Sequence, residues 1–193
     1  AYLLPVLPPE RTTYFYTDIS NYFMQLAQQQ FGAYPFLKTS LLNIEEDPQK
    51  QGYEPHSFDV VVASSVLHVV RNLEETLRYL RSLLAPNGLL LLIEKTKFHR
   101  PFDLGMGLQQ GFDRFEDEEL RQNHPLLSRE KWQQLLAAQG FENCVIFNQP
   151  NTVPEFLGFD VLLAQAPASI KRFKPNELNS FLQKKLPEYA IPC

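Results

Sequence analysis

The chain has 193 residues, of which 44% are hydrophobic and 21% are charged, as is ordinary for a globular protein with one sizeable core. Its net charge of −4 at pH 7 argues against nucleic acid as a partner, and no apolar run approaches the roughly 20 residues that a membrane-spanning helix needs. The first residues do not resemble a signal peptide. Its two cysteines, Cys144 and Cys193, are too few for a disulfide framework, and this favours a cytoplasmic location.

The first part of the chain contains short elements separated by prolines at turn positions. We predict the end of a helix at residues 2–7, a strand at 12–17 followed by Asp18, an amphipathic helix from Tyr22 to about Phe31, and a strand at 36–44. Alternation of strands and helices is typical of an α/β protein with a parallel sheet.

The clearest unit lies between residues 58 and 94 and has the order strand, helix, strand. Residues 58–63 and 88–94 are short apolar runs, as expected of strands buried on both faces of a parallel sheet. The intervening stretch carries leucines at helical spacing opposite charged residues. Residues 86–88, Pro-Asn-Gly, are predicted to end the helix and turn the chain into the second strand.

Open α/β sheets bind ligands at the carboxyl ends of their strands. Ser64, Ser65 and His68 follow the first strand of this unit, and Glu94 stands at the end of the second. A neutral imidazole can take up a proton at physiological pH, and a carboxylate can orient it or hold a substrate amine. We therefore expect His68 and Glu94 to line an active site, against the alternatives of a packed histidine and an ordinary loop carboxylate.

The chain changes character after residue 94. Residues 114–121 alternate in charge and are predicted to form a solvated helix, and His124 is predicted to be a surface residue. A helix that ends at Gly140 and two strands, at 142–148 and 157–165, complete the domain. These two strands are expected to form an antiparallel pair at one edge of the sheet. The remaining tail is predicted to belong to a different domain.

Three dispersed stretches, taken in order, resemble a known family. Residues 14–20 (YFYTDIS), 58–68 (FDVVVASSVLH) and 83–94 (LLAPNGLLLLIE) are similar to the S-adenosylmethionine-dependent methyltransferase domains of nonribosomal peptide and polyketide synthases. Residues 177–192 resemble a motif of the C-terminal subdomain of amino-acid adenylation domains, into which an N-methyltransferase can be inserted. The resemblance implies a class I methyltransferase Rossmann-like α/β fold at residues 1–167 and the start of an adenylation subdomain at 168–193.

The same resemblance implies S-adenosylmethionine as the cofactor and no metal. Asp18 would accept hydrogen bonds from the ribose hydroxyls, although it could instead cap the following helix. Asn43 stands where the family usually has an aspartate that contacts adenine, and Ile44 follows it. Ser64 and Ser65 would complete the cofactor site.

The family's glycine-rich cofactor loop has no counterpart in this sequence. Gly105 and Gly107 lack the spacing of a strand-to-helix turn and are expected to pack in a helix or a lid. We therefore expect the chain to begin after that loop, with its first, central strand missing between the strands at 12–17 and 58–63. Alone, such a fragment would be inactive.

The predicted function is methyl transfer to the α-amino nitrogen of an aminoacyl thioester on a peptidyl carrier domain, with the rest of an adenylation domain in cis. Residues 102–115 would form a lid, in which Phe112 or Phe115 contacts the acyl chain. One alternative is a polyketide-type C-methyltransferase, in which His68 and Glu94 abstract a carbon-bound proton. The other is an inactive structural remnant within a megasynthase.

Overall fold

The computed structural model describes residues 3–98, 100–108, 112–147 and 152–169. The strands are β1 (Tyr14–Asp18), β2 (Leu37–Leu41), β3 (Phe58–Ser64), β4 (Leu84–Lys95), β5 (Glu142–Phe147) and β6 (Phe159–Gln165). The helices are α1 (Asn21–Phe31), α2 (Leu73–Leu83), α3 (Arg100–Met106), α4 (Arg129–Ala138) and α5 (Val153–Leu157). Short 3₁₀ turns lie at Leu4–Val6, Pro9–Arg11, Pro48–Gln51 and Leu67–Val69.

The strands form two sheets. β1 and β2 pair in parallel, and the second sheet has the order β3-β4-β6-β5. In the second sheet β3 is parallel to β4, whereas β6 is antiparallel to both β4 and β5. The ring centroids of Phe15 on β1 and Phe58 on β3 are 5.5 Å apart, so the two sheets adjoin. This topology confirms the predicted Rossmann-like α/β fold with an antiparallel pair at one edge.

The predicted strand–helix–strand unit is formed by β3, α2 and β4. The side-chain oxygen of Asn72 caps α2 by accepting a hydrogen bond from the backbone N–H of Glu75 at 2.9 Å. Leu73 and Leu77 on the inner stripe of the helix are fully buried in the main core. Because each buried leucine contributes about 1.5–3 kcal/mol, this stripe fixes α2 against the sheet.

The start of β4 differs from the prediction. No turn separates the helix from the strand at residues 86–88, because β4 runs from Leu84 and contains a bulge. Phe58 pairs with Leu84, and Val60 pairs with Leu89. Residues 85–88 of β4 therefore bulge out of the ladder. Pro86 has no N–H to donate to a partner strand, and a bulge accommodates that residue.

The prediction that β3 is buried on both faces is wrong in part. Val60 and Val62 are 49% and 43% exposed. Within the described ranges β3 hydrogen-bonds only to β4, β1 only to β2, and no strand lies between β1 and β3. The side chains of Val60 and Val62, which a neighbouring strand would cover, are therefore in contact with solvent.

Three further segments differ from the sequence prediction or lie outside the described residues. Leu4–Val6 is a 3₁₀ turn rather than the end of a longer helix. Residues 114–121 are irregular with a turn at 118–120 and do not form a solvated helix, and the side chain of Arg121 is fully buried. The adenylation-like motif lies in residues 170–193, outside the described part of the chain, so the domain boundary at 167 stays a prediction.

Candidate active site

The carboxyl ends of β3 and β4 bring the predicted catalytic residues together. β3 ends at Ser64, and Ser65 adopts a φ of 52°, a left-handed conformation that is uncommon for a residue other than glycine. This sharp turn leads to the 3₁₀ turn Leu67–Val69, which carries His68, while Glu94 lies near the end of β4. The side chains of Ser64 and Ser65 are exposed at this edge, as a ligand-lining position requires.

Glu94 is fully buried and accepts three hydrogen bonds from the loop after β3. Its Oε1 accepts from the backbone N–H groups of Val66 and Leu67 at 3.0 and 2.8 Å. Its Oε2 lies 2.9 Å from Nδ1 of His68. Both oxygens of an acceptor-only group are therefore satisfied, and one of them is directed at the imidazole.

This contact fixes the tautomer of His68. Since a carboxylate oxygen can only accept, Nδ1 of the imidazole is the donor in this contact, and in the neutral imidazole Nε2 is then the acceptor. His68 is 8% exposed, and the ring of Phe112 lies edge-on to it with centroids 6.4 Å apart. The arrangement provides a proton acceptor at Nε2 and a carboxylate that stabilises the resulting imidazolium.

A second histidine–carboxylate pair, His124 and Asp103, is separated from His68 by the ring of Phe112. The rings of Phe112 and His124 are 5.7 Å apart, and Nε2 of His124 lies 3.0 Å from Oδ1 of Asp103. Nδ1 of His124 accepts the backbone N–H of Leu126 at 3.1 Å, so Nε2 donates to the carboxylate. The expectation that His124 is a surface residue is wrong, because its side chain is only 24% exposed and it packs beside α3.

The two candidate lid phenylalanines have different surroundings. Phe112 faces His68, whereas the ring of Phe115 lies 5.2 Å from the guanidinium carbon of Arg121. Arg121 donates to the carbonyl of His68 at 3.3 Å, a contact that the sequence did not predict because alternating charges are usually solvated. The only signal for it was the spacing of four residues between Asp117 and Arg121, which permits an ion pair.

Asp18, which is predicted to bind the cofactor ribose, is the last residue of β1. Its Oδ1 accepts the backbone N–H of Ser20 at 2.8 Å, so it orders the loop before α1. A carboxylate has about four acceptor positions, and this bond uses one of them. Ribose binding and the local structural role are therefore compatible.

Asn43 is more tightly engaged than predicted. Its Oδ1 accepts the backbone N–H of Glu45 at 3.1 Å, and its Nδ2 donates to Glu46 at 2.9 Å. Gln51 bonds both backbone groups of Asn43. The two side-chain bonds use one of the two acceptor positions of Oδ1 and one of the two N–H groups of Nδ2, so one of each remains for adenine. Ile44 is partly buried against the core and can offer only an apolar contact.

Three more polar side chains are buried near this end of the sheet: Lys95, Thr96 and Asp160. Asp160 accepts from Nε and Nη2 of Arg129, each at 2.6 Å, and from the hydroxyl of Thr96. Burial by itself raises the pKa of the Asp160 carboxyl, but the bonds from Arg129 and Thr96 outweigh it and hold that pKa below its ordinary value. Burial lowers the pKa of the Lys95 ammonium.

The lowered pKa of Asp160 makes its contribution to stability depend on pH. We expect Asp160→Asn to lower the free energy of unfolding by about 2–3 kcal/mol at neutral pH, because charged hydrogen bonds to Arg129 are lost. A carboxyl with a lowered pKa stabilises the fold above its ordinary pKa, and this stabilisation is lost as the pH falls through the folded-state value. Urea unfolding at neutral pH and below about pH 4 tests this. An equal penalty at both pH values contradicts it, and Asp59→Asn at an exposed position of β3 is the control.

No group of three or more His, Cys, Asp or Glu side chains is arranged to hold a metal ion in the described residues. None of the helices described here is long and apolar enough to cross a membrane.

Cys144 is a free thiol, and burial raises its pKa.

Residues 1–90 match the family model described as a methyltransferase domain. Squalestatin tetraketide synthase of Phoma sp. is 38% identical over 158 residues, which are 81% of this chain and 6% of that protein. Pyochelin synthetase PchF of Pseudomonas aeruginosa is 30% identical over 180 residues, which are 93% of this chain and 10% of that protein. The chain thus spans a small part of the curated relatives that it matches.

Two solved structures of methyltransferases are similar to most of this chain. The CurJ carbon methyltransferase superposes with a TM-score of 0.81 and 42% identity, over 86% of this chain and 44% of that one. The trans-methyltransferase CalH, in complex with S-adenosylhomocysteine, superposes with a TM-score of 0.71 and 32% identity, over 80% of this chain and 42% of that one.

These comparisons contradict the predicted methylation of an amine nitrogen. The similarity is to a carbon methyltransferase and a tetraketide synthase, and PchF supports only the broader class of megasynthases. The prediction of nitrogen depends on the adenylation-like motif alone, because the methyltransferase residues do not distinguish the two nucleophiles. The chain matches a methyltransferase domain over residues 1–90, and it is similar to S-adenosylmethionine-dependent methyltransferase domains of polyketide-type and peptide-type megasynthases.

Proposed function

We propose that this domain transfers a methyl group from S-adenosylmethionine to the α-carbon of an acyl thioester. The observation that supports carbon as the nucleophile is the similarity to the CurJ carbon methyltransferase. The buried His68–Glu94 pair, with its 2.9 Å contact, supplies the base that this reaction needs. A carbon becomes a nucleophile only after it loses a proton, so carbon methylation requires a base at this position. The similarity to the CurJ carbon methyltransferase agrees with that requirement.

The basicity of an imidazole limits the class of thioester that this site can deprotonate. A hydrogen on the α-carbon of a simple thioester is weakly acidic, whereas a second carbonyl at the β-position delocalises the charge that deprotonation leaves. A β-ketoacyl thioester is therefore the substrate that an imidazole can deprotonate at neutral pH. We propose that a carrier domain presents it as a thioester, and that Phe112, beside the ring of His68, contacts its acyl chain.

In the proposed reaction, this chain takes up the α-proton of the substrate, and the substrate keeps the electron pair of the broken C–H bond. Nε2 of His68 accepts the α-proton, and the electron pair of the broken C–H bond passes into the enolate. Glu94 stabilises the imidazolium through Nδ1. When bound, S-adenosylmethionine would supply the methyl group, and its positively charged sulfur would keep the electron pair of the broken S–CH3 bond and leave as S-adenosylhomocysteine. The enolate carbon forms the new C–C bond, and His68 then releases its proton to water.

The residues at the carboxyl ends of the strands fit this cofactor in their chemistry. Asp18 offers carboxylate acceptors for the two ribose hydroxyls, and Ser64 and Ser65 offer exposed hydroxyls. Ile44 offers an apolar surface to a base, and Asn43 keeps one acceptor position and one N–H group beside its bonds within the loop. We propose Asp18, Asn43, Ile44, Ser64 and Ser65 as the cofactor contacts.

The site of methylation tests this proposal. The chain is incubated with S-adenosylmethionine and either a β-ketoacyl or an aminoacyl thioester of N-acetylcysteamine, and the products are examined by NMR and mass spectrometry. We expect a new methyl group on the α-carbon of the β-ketoacyl substrate. A methyl group found only on the amine of the aminoacyl substrate would contradict the proposal.

A further inference from the structure

We infer that Arg121 is a positioning residue for His68, and that its guanidinium, together with Asp117, fixes the backbone of the turn that carries the base. This inference rests on the proposed function, since it names what holds the base of that reaction in place.

The guanidinium of Arg121 reaches three carbonyl groups of one short stretch of backbone. Its Nη1 donates to the carbonyl of His68 at 3.3 Å, and its Nη2 donates to those of Val70 and Arg71 at 2.8 and 3.0 Å. The side chain is 0% exposed, so water does not compete for these bonds. A guanidinium is a planar and rigid fork of donors, and it therefore holds the three carbonyls at fixed relative positions.

Asp117 connects this fork to the first turn of α2. Its Oδ1 lies 2.5 Å from Nε of Arg121, and its Oδ2 accepts the backbone N–H of Leu73 at 2.9 Å. The N–H groups of the first helical turn have no partner within the helix, and a carboxylate is favourable there. One ion pair thus ties the His68 turn to a helix whose inner stripe is anchored in the core.

The same chain segment, residues 112–121, also contacts the other side of the base. Phe112 lies edge-on to the imidazole of His68, and the backbone N–H of Glu116 donates to the carbonyl of Arg71 at 2.8 Å. Phe115 covers the guanidinium of Arg121. His68 is therefore held at Nδ1 by Glu94, along its ring by Phe112, and at its carbonyl by Arg121.

Stability alone is a weak reason for a buried ion pair, because desolvation of the two charges offsets most of their attraction. The three carbonyl contacts supply a second role. If the fork is removed, the turn is free to shift, and Nε2 moves relative to the α-carbon of the substrate. A displacement of about 1 Å in such a pair of reacting groups costs about 100-fold in rate.

The test compares Arg121→Lys and Asp117→Asn with the unchanged chain. The rate of α-proton exchange of a β-ketoacyl thioester is measured against substrate concentration in deuterated buffer, and the Nδ1–H proton of His68 is observed by NMR. We expect Arg121→Lys to lower turnover per folded molecule by about 10- to 100-fold at an unchanged KM. We also expect it to shift or broaden the Nδ1–H signal. Asp117→Asn should act in the same direction with a smaller effect, because the carbonyl contacts of Arg121 remain.

The matched control is Arg78→Lys. Arg78 also pairs with a carboxylate on its own segment, Glu75 at 3.1 Å, but it is exposed and distant from the base. It should leave turnover and the Nδ1–H signal unchanged. If Arg121→Lys fails to fold, Asp117→Asn decides the question.

Wild-type turnover per folded molecule in both Arg121→Lys and Asp117→Asn would overturn the inference. A raised KM at unchanged turnover would also overturn it. If the unchanged chain itself exchanges no α-proton, the proposed function fails. In that case the NMR signal alone decides the inference, and an unaltered Nδ1–H resonance in Arg121→Lys overturns it.

Discussion

His68→Gln should lower the rate of carbon methylation by about 100- to 10,000-fold, which is the usual contribution of a positioned base. Glutamine has a similar length and can keep a bond to Glu94, but it has no group that takes up a proton at neutral pH. The affinity for S-adenosylhomocysteine should be unchanged, because the proposed cofactor contacts lie on other side chains. Initial rates and calorimetric titration measure the two effects separately.

A histidine outside the site provides the control for this change. His56 lies in the loop before β3, where its Nδ1 contacts the carbonyl of Leu84 at 2.9 Å and its φ is 56°. Asparagine tolerates that conformation, so His56→Asn should keep full turnover per folded molecule. If His68→Gln also keeps it, His68 is not the base.

Glu94→Gln should lower the same rate by about 1,000- to 10,000-fold, by analogy with loss of the carboxylate in a hydrolase triad. The amide that replaces the carboxylate has one acceptor and one donor end, whereas three donors converge on Glu94. An amide nitrogen facing Nδ1 would force the imidazole into the other tautomer and place the proton on Nε2. An amide nitrogen facing Val66 and Leu67 would instead leave two backbone N–H groups without an acceptor.

The second orientation should also lower the free energy of unfolding by about 1–3 kcal/mol, because two buried backbone N–H groups lose their acceptor. Chemical denaturation measures that loss, and rates are compared per folded molecule. Glu75→Gln, at a half-exposed carboxylate on α2, is the control and should be almost silent in both assays. Near-normal turnover in Glu94→Gln would show that the orientation of His68 does not depend on this carboxylate.

The strand–helix–strand unit could be predicted from the sequence because its signals are local. The apolar runs of β3 and β4 and the leucine stripe of α2 each fix one element, and strand parallelism then places His68 near Glu94. The exposure of Val60 and Val62 could not be predicted in this way. An apolar strand sequence indicates that a strand can be buried, but neighbouring elements decide whether it is.

The polar contacts around the site were less predictable. Arg121 lies in a charged run that indicates a solvated helix, yet its guanidinium is buried because three backbone carbonyls and Asp117 satisfy it. The sequence likewise does not indicate that the loop after Asn43 takes up one donor and one acceptor position of its carboxamide. Contacts of this kind join residues that are far apart or depend on exact loop geometry, and spacing does not encode them.

The nucleophile was mispredicted for a chemical reason. An imidazole oriented by a carboxylate can take a proton from an amine or from an acidic carbon, so His68 and Glu94 are consistent with both reactions. Their geometry therefore describes the base and not its substrate. The comparisons with a carbon methyltransferase and a tetraketide synthase supplied the distinction.

The most direct test is the exchange of the α-hydrogen of a β-ketoacyl thioester in deuterated buffer, with the chain present and the cofactor absent. Proton abstraction precedes methyl transfer and does not need the cofactor, so this measurement is independent of whether the isolated chain completes the reaction. We predict that the chain accelerates exchange above the rate in buffer, and that His68→Gln returns it to that rate. Exchange no faster than in buffer would contradict the assignment of His68 as the base of a carbon methyltransferase.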